Sequence, residues 1–440
     1  LFGTDGVRGL ANRDVTAELA LDLSVSAAHI LSEVGQRRSA IVGRDPRASG
    51  EFLQSAVAAG LASAGVDVWD VGVLPSPAVA YLTKTRSADL GVMLSASHNA
   101  MPDNGIKFFN AEGNKLADEI EAQIEARMGE EWQRPVGDAV GRISSDSEGA
   151  DEYVAHLLTT VDSLSGLKVV VDGANGAASQ VAPLTYREAG AEVIAIHCAP
   201  DGYNINRDCG STHLGDLQKA VVEHGADLGI GHDGDADRCL AVDASGALVD
   251  GDQLMAIIAL AMRDAGRLAH DTVVATVMAN LGFKQAMQRE SISVVETAVG
   301  DRYVLEAMLA SGYVLGGEQS GHVVMTEHAT TGDGLLTALQ VMNRMVATGA
   351  SLAELAGVMR RLPQVLVNVS GVDKNALETC GAVSDAVSAA QEQLSDSGRV
   401  LLRKSGTEPL VRVMVEAQDE ATATGVAQSL AQTVRDHLSL

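Results

Sequence analysis

Short apolar runs alternate with helix-length stretches along most of this chain, and few folds satisfy that rhythm. Ala40-Ile-Val-Gly43 is followed by a helix-like segment at 51–64 with its apolar residues on one face. Val66-Asp-Val-Trp69, a proline-bounded helix near 78–82, and Leu90-Gly-Val-Met-Leu94 continue the pattern. Strands alternating with helices at this spacing predict an α/β layer with a mostly parallel sheet. A second such unit opens at Leu167-Lys-Val-Val-Val171 and runs through Val193-Ile-Ala-Ile196. A third holds a helix at 252–265, a strand at 272–277, and helices at 283–289 and 302–309. Around Pro363 the character changes: a strand at 365–369, a long helix at 376–394, two strand-like runs about Leu401 and Val413, and a terminal helix. The polar, acidic segment 129–151 reads as a linker. The expected fold is three successive α/β domains with mixed, mostly parallel sheets (1–150, 151–249, 250–362), plus a smaller α+β domain (363–440), around a central cleft.

Composition limits what such a chain can bind. The formal charge is −26, from 58 acids against 32 bases, which argues against nucleic acid or an anionic membrane as partner. If the substrate is itself an anion, the few Arg and Lys residues must gather in one place. Aromatics supply only 3% of the residues, so Ala, Val, Leu, Ile and Met must fill the cores. Cys198, Cys209, Cys239 and Cys380 form no C-x-x-C pair, as expected of reduced thiols in a cytoplasmic protein. The apolar run 254–262 is too short to cross a bilayer, and no signal peptide is visible.

Asp233-Gly-Asp-Ala-Asp-Arg238 packs three carboxylates into six residues directly after the apolar run Leu228-Gly-Ile-Gly231. A buried strand feeding an acidic loop follows from that order. Three anions so close repel one another unless a cation lies between them. An all-oxygen donor set without His or Cys at ligand spacing suits a hard ion, Mg²⁺ first. Arg238 adds a positive fork of the kind that handles phosphate. A solvated acidic loop is the plainer alternative. An EF-hand is excluded because it would need Gly at Arg238 and Glu at Ala244.

Four other segments carry chemistry. Ser95-Ala-Ser-His-Asn99 follows a strand; its serines suit a nucleophile or ordinary turn chemistry, and Lys107 is close in sequence. No G-x-S-x-G elbow is present, which disfavours a serine hydrolase. Phe2-Gly-Thr-Asp-Gly-Val-Arg-Gly9 offers backbone N–H groups and Arg8 to a phosphate. Gly316-Gly-Glu-Gln-Ser-Gly-His322 puts Glu318 and Ser320 between glycines, equipment for reading a sugar edge. Arg403-Lys-Ser-Gly-Thr-Glu408 lies between two strand-like runs, with Arg412 on the second. Arg403, Ser405, Gly406 and Thr407 compose either a phosphate clamp or an exposed basic hairpin turn.

With segments 95–99, 233–238, 317–322 and 403–407 in this order, the chain resembles the α-D-phosphohexomutase family over essentially its whole length. The opening F-G-T-D-G-V-R-G, D-G-D-A-D-R, G-E-Q-S-G-H and S-G-T-E-P are similar to the amino-sugar subgroup of that family. Gln319 stands where glucose and mannose relatives usually carry Met. Ala100 and Lys404 depart from the family pattern, which has Pro at each position. Both changes loosen a loop without removing a chemical group.

The resemblance implies an isomerase that interconverts glucosamine 6-phosphate and glucosamine 1-phosphate, feeding amino-sugar precursors of the cell wall. Ser97 would carry a phosphoryl group, and Asp233, Asp235 and Asp237 would hold one Mg²⁺ with a phosphoserine oxygen of Ser97. Arg8 and Arg238 would offset charge on the transferring group. Glu318, Ser320 and Asp301 would contact the sugar, with Arg302 beside them. Arg403, Ser405, Gly406, Thr407 and Arg412 would grip the phosphate already present. Proton transfer falls to Lys107, His98 or His322. A hexosamine 1,6-bisphosphate would serve as primer and intermediate, and a homodimer is compatible with this reading. The rivals are a glucose or mannose phosphomutase, a phosphohydrolase with an Asp nucleophile, and a phosphosugar-binding sensor.

Overall fold

The computed structural model describes residues 1–3, 5–31, 38–405 and 409–440. Its first sheet contains β1 (Val7–Leu10), β2 (Arg38–Arg44), β3 (Val66–Val73), β4 (Leu90–Leu94), β5 (Asp103–Phe109) and β6 (Ile143–Ser145), in spatial order β1-β5-β4-β2-β3-β6. Strands β2, β3, β4 and β6 run parallel, while β1 and β5 are antiparallel to their neighbours. All five residues of β4 are buried, which is why Leu-Gly-Val-Met-Leu is apolar without alternation. Helices Ala17–Leu31, Ala48–Ser63 and Ser76–Thr85 link the strands. The segment expected as a linker contributes β6, which pairs with the edge strand β3. Ile143 in β6 is exposed, so that strand leaves almost no hydrophobic trace in the sequence.

A second sheet holds β7 (Lys168–Asp172), β8 (Glu192–Ile196), β9 (Leu228–His232), β10 (Cys239–Asp243) and β11 (Leu248–Val249), ordered β11-β10-β9-β7-β8. Strands β7, β8 and β9 are parallel; β10 returns antiparallel to β9, with Cys239 opposite His232. The third sheet, ordered β13-β12-β14-β15, holds β12 (Thr272–Thr276), β13 (Ser293–Thr297), β14 (Leu315–Gly317) and β15 (Val323–Met325). Its first three strands are parallel, and β14 and β15 form an antiparallel pair. The α/β reading and the mixed sheets are thus present.

By its contacts the chain divides into two units, Leu1–Met278 with Ser293–Val358, and Ala279–Ile292 with Met359–Leu440. The second unit is built on an antiparallel sheet of β16 (Gln364–Ser370), β18 (Leu410–Glu416) and β17 (Arg399–Lys404), in that order. Val411, Val413 and Val415 point into a core shared with helix Glu420–Leu438, which presents Ala423, Val426, Ala427, Leu430 and Val434. Helix Leu281–Arg289 joins this unit through its start: Asn280 bonds both Leu362 N and Leu362 O, and Leu281 N donates to Glu416. The single helix expected at 376–394 is two elements, a 3₁₀ turn at Lys374–Glu378 and a helix at Gly381–Leu394. Cys380 is extended between them, and a periodicity count across 376–394 does not register one extended residue. Among the described residues no helix is long and apolar enough to cross a membrane. All four cysteines are free thiols.

Candidate active site

The acidic loop 233–238 connects β9 to β10, and its backbone is held from three sides. Ala177 N donates to Gly234 O at 2.8 Å, Ser76 N to Asp235 O at 3.0 Å, and Gly334 N to Ala236 O at 3.0 Å. Ala236 is left-handed, with φ of 56°, which turns successive carboxylates toward one point. Gly234 lies so close to the serine loop that a Cβ there would meet Ser97 O at 2.5 Å. One carboxylate oxygen from each of Asp233, Asp235 and Asp237 falls within 4.8 Å of the others, and all three residues are buried.

Each carboxylate has a different set of partners. Asp233 accepts from the Ser97 hydroxyl and, at 3.2 Å, from Arg238 N. Asp235 accepts from Ser76 Oγ at 2.5 Å and from Lys107 Nζ at 2.7 Å. Asp235 Oδ1 and Asp237 Oδ1 are buried and accept no hydrogen bond among the described residues. Burial, then repulsion from Asp237 and Asp235, pushes the Asp233 carboxyl well above its ordinary range. Burial also acts upward on Asp235, but the Lys107 ammonium outweighs it and holds that carboxyl low. Unmatched buried oxygens on a crowded carboxylate triad are what a divalent cation site requires, so these residues fit a hard metal ion.

Ser97 sits 1% exposed on the loop after β4, with φ of 51°. His98 Nδ1 lies 3.4 Å from its hydroxyl. Burial, then the Arg238 and Arg8 charges, pushes the His98 pKa down to about 4. Lys107, on β5, is 2% exposed and also stands 2.9 Å from Asp5. Burial acts to lower its pKa, but Asp235 and Asp5 raise it overall, so the ammonium is retained. Asp5 pairs in addition with Arg8 and, at 2.7 Å, with Lys115, and Lys115 pairs with Asp301. A continuous line of alternating charge therefore runs from the triad through Lys107, Asp5 and Lys115 to Asp301.

The β14–β15 turn carries the expected sugar-reading residues. Glu318 Oε1 accepts from Gly300 N at 3.2 Å. Ser320 Oγ and Gln319 Nε2 are buried with no hydrogen-bond partner among the described residues. His322 Nε2 is 3.4 Å from Asp301 and 3.9 Å from Asp237, and a Cβ on Gly332 would lie 2.3 Å from that nitrogen. Arg302 is engaged elsewhere, by Glu121 at 2.9 Å and by Asp118.

The sequence reading singled out Arg8, Ser97, His98, Lys107, Asp233, Asp235, Asp237, Arg238, Asp301, Glu318, Ser320 and His322. The first unit contains all of them. It missed Asp5, Lys115 and Ser76. Asp5 lies in the opening motif, where nothing in the sequence sets it apart as a partner for Lys107 and Lys115; Ser76 and Lys115 have no motif to mark them. In the C-terminal unit, Arg403 on β17 lies opposite Arg412 on β18. Burial, then the Arg412 charge, lowers the Arg403 pKa, a strain that a bound anion would relieve. Ser405 is buried, and its carbonyl accepts from Lys374 Nζ at 2.8 Å. Gly406 and Thr407 lie outside the described residues.

Comparison with known proteins gives a consistent result. Models described as phosphoglucomutase/phosphomannomutase alpha/beta/alpha domains I, II and III match residues 1–134, 151–246 and 250–362, and the corresponding C-terminal domain matches 342–433. Phosphoglucosamine mutase of Streptomyces griseus subsp. griseus is 65% identical over 448 residues, covering 100% of this chain and 99% of that protein. A phosphoglucomutase/phosphomannomutase family protein from Burkholderia thailandensis has a similar structure, with a TM-score of 0.82 at 23% identity over 99% of this chain and 97% of that one. N-acetylphosphoglucosamine mutase of Aspergillus fumigatus, solved in complex with GlcNAc-6P and magnesium, has a TM-score of 0.66 at 18% identity, covering 96% and 99%.

Proposed function

The chain belongs to the phosphoglucomutase/phosphomannomutase family, and from that premise we propose that it interconverts glucosamine 6-phosphate and glucosamine 1-phosphate through a phosphoserine at Ser97. The observation that carries this reading is the Ser97 hydroxyl donating into a buried triad of carboxylates, beside the buried Lys107 ammonium. The 65% identity to a phosphoglucosamine mutase over the whole chain supports the amino-sugar substrate.

Asp233, Asp235 and Asp237 would hold a Mg²⁺, which when bound offsets charge on the transferring oxygens. Magnesium is present in the solved complex of the Aspergillus relative. The rest is done by the chain's own residues. The phosphoryl group leaves Ser97 Oγ as its phosphorus bonds the free sugar hydroxyl, whose proton passes to a nearby base, and the product is a 1,6-bisphosphate. The bisphosphate then turns around and returns its other phosphoryl group to Ser97. His98, Lys107 and His322 are the candidates for proton transfer; His98 Nδ1 stands 3.4 Å from the serine oxygen. Arg8 and Arg238 supply fixed positive charge. Glu318, Ser320 and Asp301 are proposed to read the sugar; the Ser320 hydroxyl, without a hydrogen-bond partner among the described residues, suits a ligand that must be accepted in two orientations. Arg403, Ser405 and Arg412, with Gly406 and Thr407, are proposed to bind the phosphate that does not react.

The test is kcat/KM for the 6-phosphates of glucosamine, glucose and mannose, with Mg²⁺ and a trace of hexose bisphosphate. A preference for glucosamine 6-phosphate of about 100-fold, roughly 2.7 kcal/mol in the transition state, is expected. Phosphate should be recovered on Ser97, and Ser97→Ala should eliminate turnover while sparing sugar binding. Equal rates on all three sugars would reduce the reading to a broad hexose phosphomutase. Inorganic phosphate release with an acyl phosphate on an Asp would overturn it.

A further inference from the structure

The loop that carries Ser97 is kept in a conformation its own residues disfavour. Serine at φ of 51° is in the left-handed region, which persists only where the surroundings over-determine it. Two side chains outside the motif supply that determination.

Arg47, directly before helix Ala48–Ser63, is fully buried. All five of its guanidinium N–H donors are used. Nε donates to Asp45 Oδ2 at 2.9 Å; Nη1 donates to the carbonyls of Ala100 and Asp103 at 2.6 and 3.0 Å; Nη2 donates to those of Ser97 and Asn99 at 3.1 and 2.8 Å. From the second sheet's side, Asn206 Nδ2 donates to the same two carbonyls, Ser97 O at 2.8 Å and Asn99 O at 3.0 Å. The amide side of Ser97 leads to the same place. Ser97 N donates to Ser95 Oγ at 2.9 Å, and Ser95 Oγ donates to Asp45 Oδ2 at 2.7 Å. Both peptide groups flanking Ser97 are therefore tied to the buried Asp45–Arg47 pair, and the carbonyl is gripped a second time by Asn206.

We propose that Arg47 and Asn206 are positioning residues for phosphoryl transfer, holding the Ser97 carbonyl from two domains so that Oγ is aimed at Asp233 and the sugar hydroxyl. This rests on the reading of Ser97 as the phosphoryl carrier. Neither residue touches the hydroxyl; they act through the backbone. The planar fork of arginine is needed because four carbonyls and a carboxylate surround one point, and a lysine could satisfy only three of them. Asn206 couples the serine loop to the second sheet at the place where Gly234 leaves no room for a side chain beside Ser97 O. A displacement of about 1 Å at a reacting atom costs on the order of 100-fold in rate.

The decisive variant is Asn206→Gly, because Asn206 has φ of 56° and glycine keeps that backbone while removing the amide. Arg47→Lys is the companion. Enzyme carrying ³²P-phosphate on Ser97 is mixed with glucosamine 6-phosphate, and the single-turnover passage of the label from Ser97 to the sugar is followed at a temperature where each variant is folded. Asn206→Gly is expected to slow that transfer by about 10- to 100-fold with KM changed less than about threefold, and Arg47→Lys to slow it further. A purely structural role would lower the melting temperature and leave the single-turnover rate of the folded protein intact. A rate within about threefold of wild type in folded Asn206→Gly overturns the proposal, and this variant decides alone if Arg47→Lys does not fold. Wild-type enzyme that takes no phosphate on Ser97 would instead defeat the underlying reading, and the proposal with it.

Discussion

Lys107 Nζ stands 2.7 Å from Asp235 Oδ2, with the lysine 2% exposed and the aspartate fully buried. Both groups are shut off from water, and although Lys107 also meets Asp5 at 2.9 Å, it is the cation that Asp235 pairs with. Removing one partner of a buried pair costs about 3–5 kcal/mol, because the remaining charge is left uncompensated. Lys107→Met is therefore expected to destabilise the metal-free protein by about that amount, measured by urea denaturation in the presence of a chelator. A loss below about 1 kcal/mol would mean that Ser76 and a proton taken up by the carboxyl suffice to hold Asp235.

Gly234 has no room for a side chain. A methyl group there would approach Ser97 O at 2.5 Å and Asn206 Nδ2 at 3.0 Å, so one of the two loops must move. Gly234→Ala is expected to cost about 1–3 kcal/mol of stability. It should also lower kcat at least about 10-fold, because the displaced carbonyl belongs to the serine. Wild-type kcat in this variant would show that the serine loop tolerates displacement.

Cation binding should be visible without any assay of turnover. With Mg²⁺ at 100 times its dissociation constant, the folded state gains about 2.7 kcal/mol, read as an upward shift in melting temperature. Asp237→Asn removes one carboxylate of the triad, whose Oδ1 accepts no hydrogen bond among the described residues and whose ion pairs to Lys107, Arg238 and His322 are long, at 3.8, 3.9 and 3.9 Å, so it should abolish most of the shift while changing metal-free stability less than Lys107→Met does. An undiminished Mg²⁺ shift in that variant would place the binding elsewhere.

A pH effect is expected away from the reacting groups. His197 Nδ1 lies 3.0 Å from Asp172 Oδ2, and its Nε2 lies 3.7 Å from Asp216. The hydrogen bond to Asp172 raises the His197 pKa above 6.5; burial opposes the rise, and the charges of Asp172 and Asp216 add to it. A raised folded-state pKa means the stabilisation is complete below pH 6.5 and disappears as pH climbs through the folded value. The stability advantage of wild type over His197→Gln should therefore shrink between pH 6 and pH 9, checked by denaturation at each pH. An advantage independent of pH would mean that the imidazole binds Asp172 in its neutral form.

Much of the site was legible because its chemistry is concentrated in short motifs. Asp233, Asp235 and Asp237 are two residues apart and follow an apolar strand, so their convergence could be read from spacing and loop chemistry alone. The strands β2, β4, β7 and β9 announced themselves as unbroken apolar runs, since parallel strands covered on both faces need nothing polar. What escaped were features whose cause lies far away in sequence. Strand β6 has an exposed isoleucine and exists only because β3 offers it an edge. Asp5 became a hub only when Arg8, Lys107 and Lys115 were folded around it.

The sequence by itself determined the family, the order of the α/β units and the residues able to bind a hard cation, because each is encoded by neighbours along the chain. Tertiary structure decided which lone charges became partners: Lys107 with Asp235 across 128 residues, and Arg47 with the Ser97 loop across 50. A single buried arginine or asparagine carries no periodicity and no motif. Its role is set by which carbonyls remain without a donor once the sheets have packed, and that shortage exists only in the folded chain.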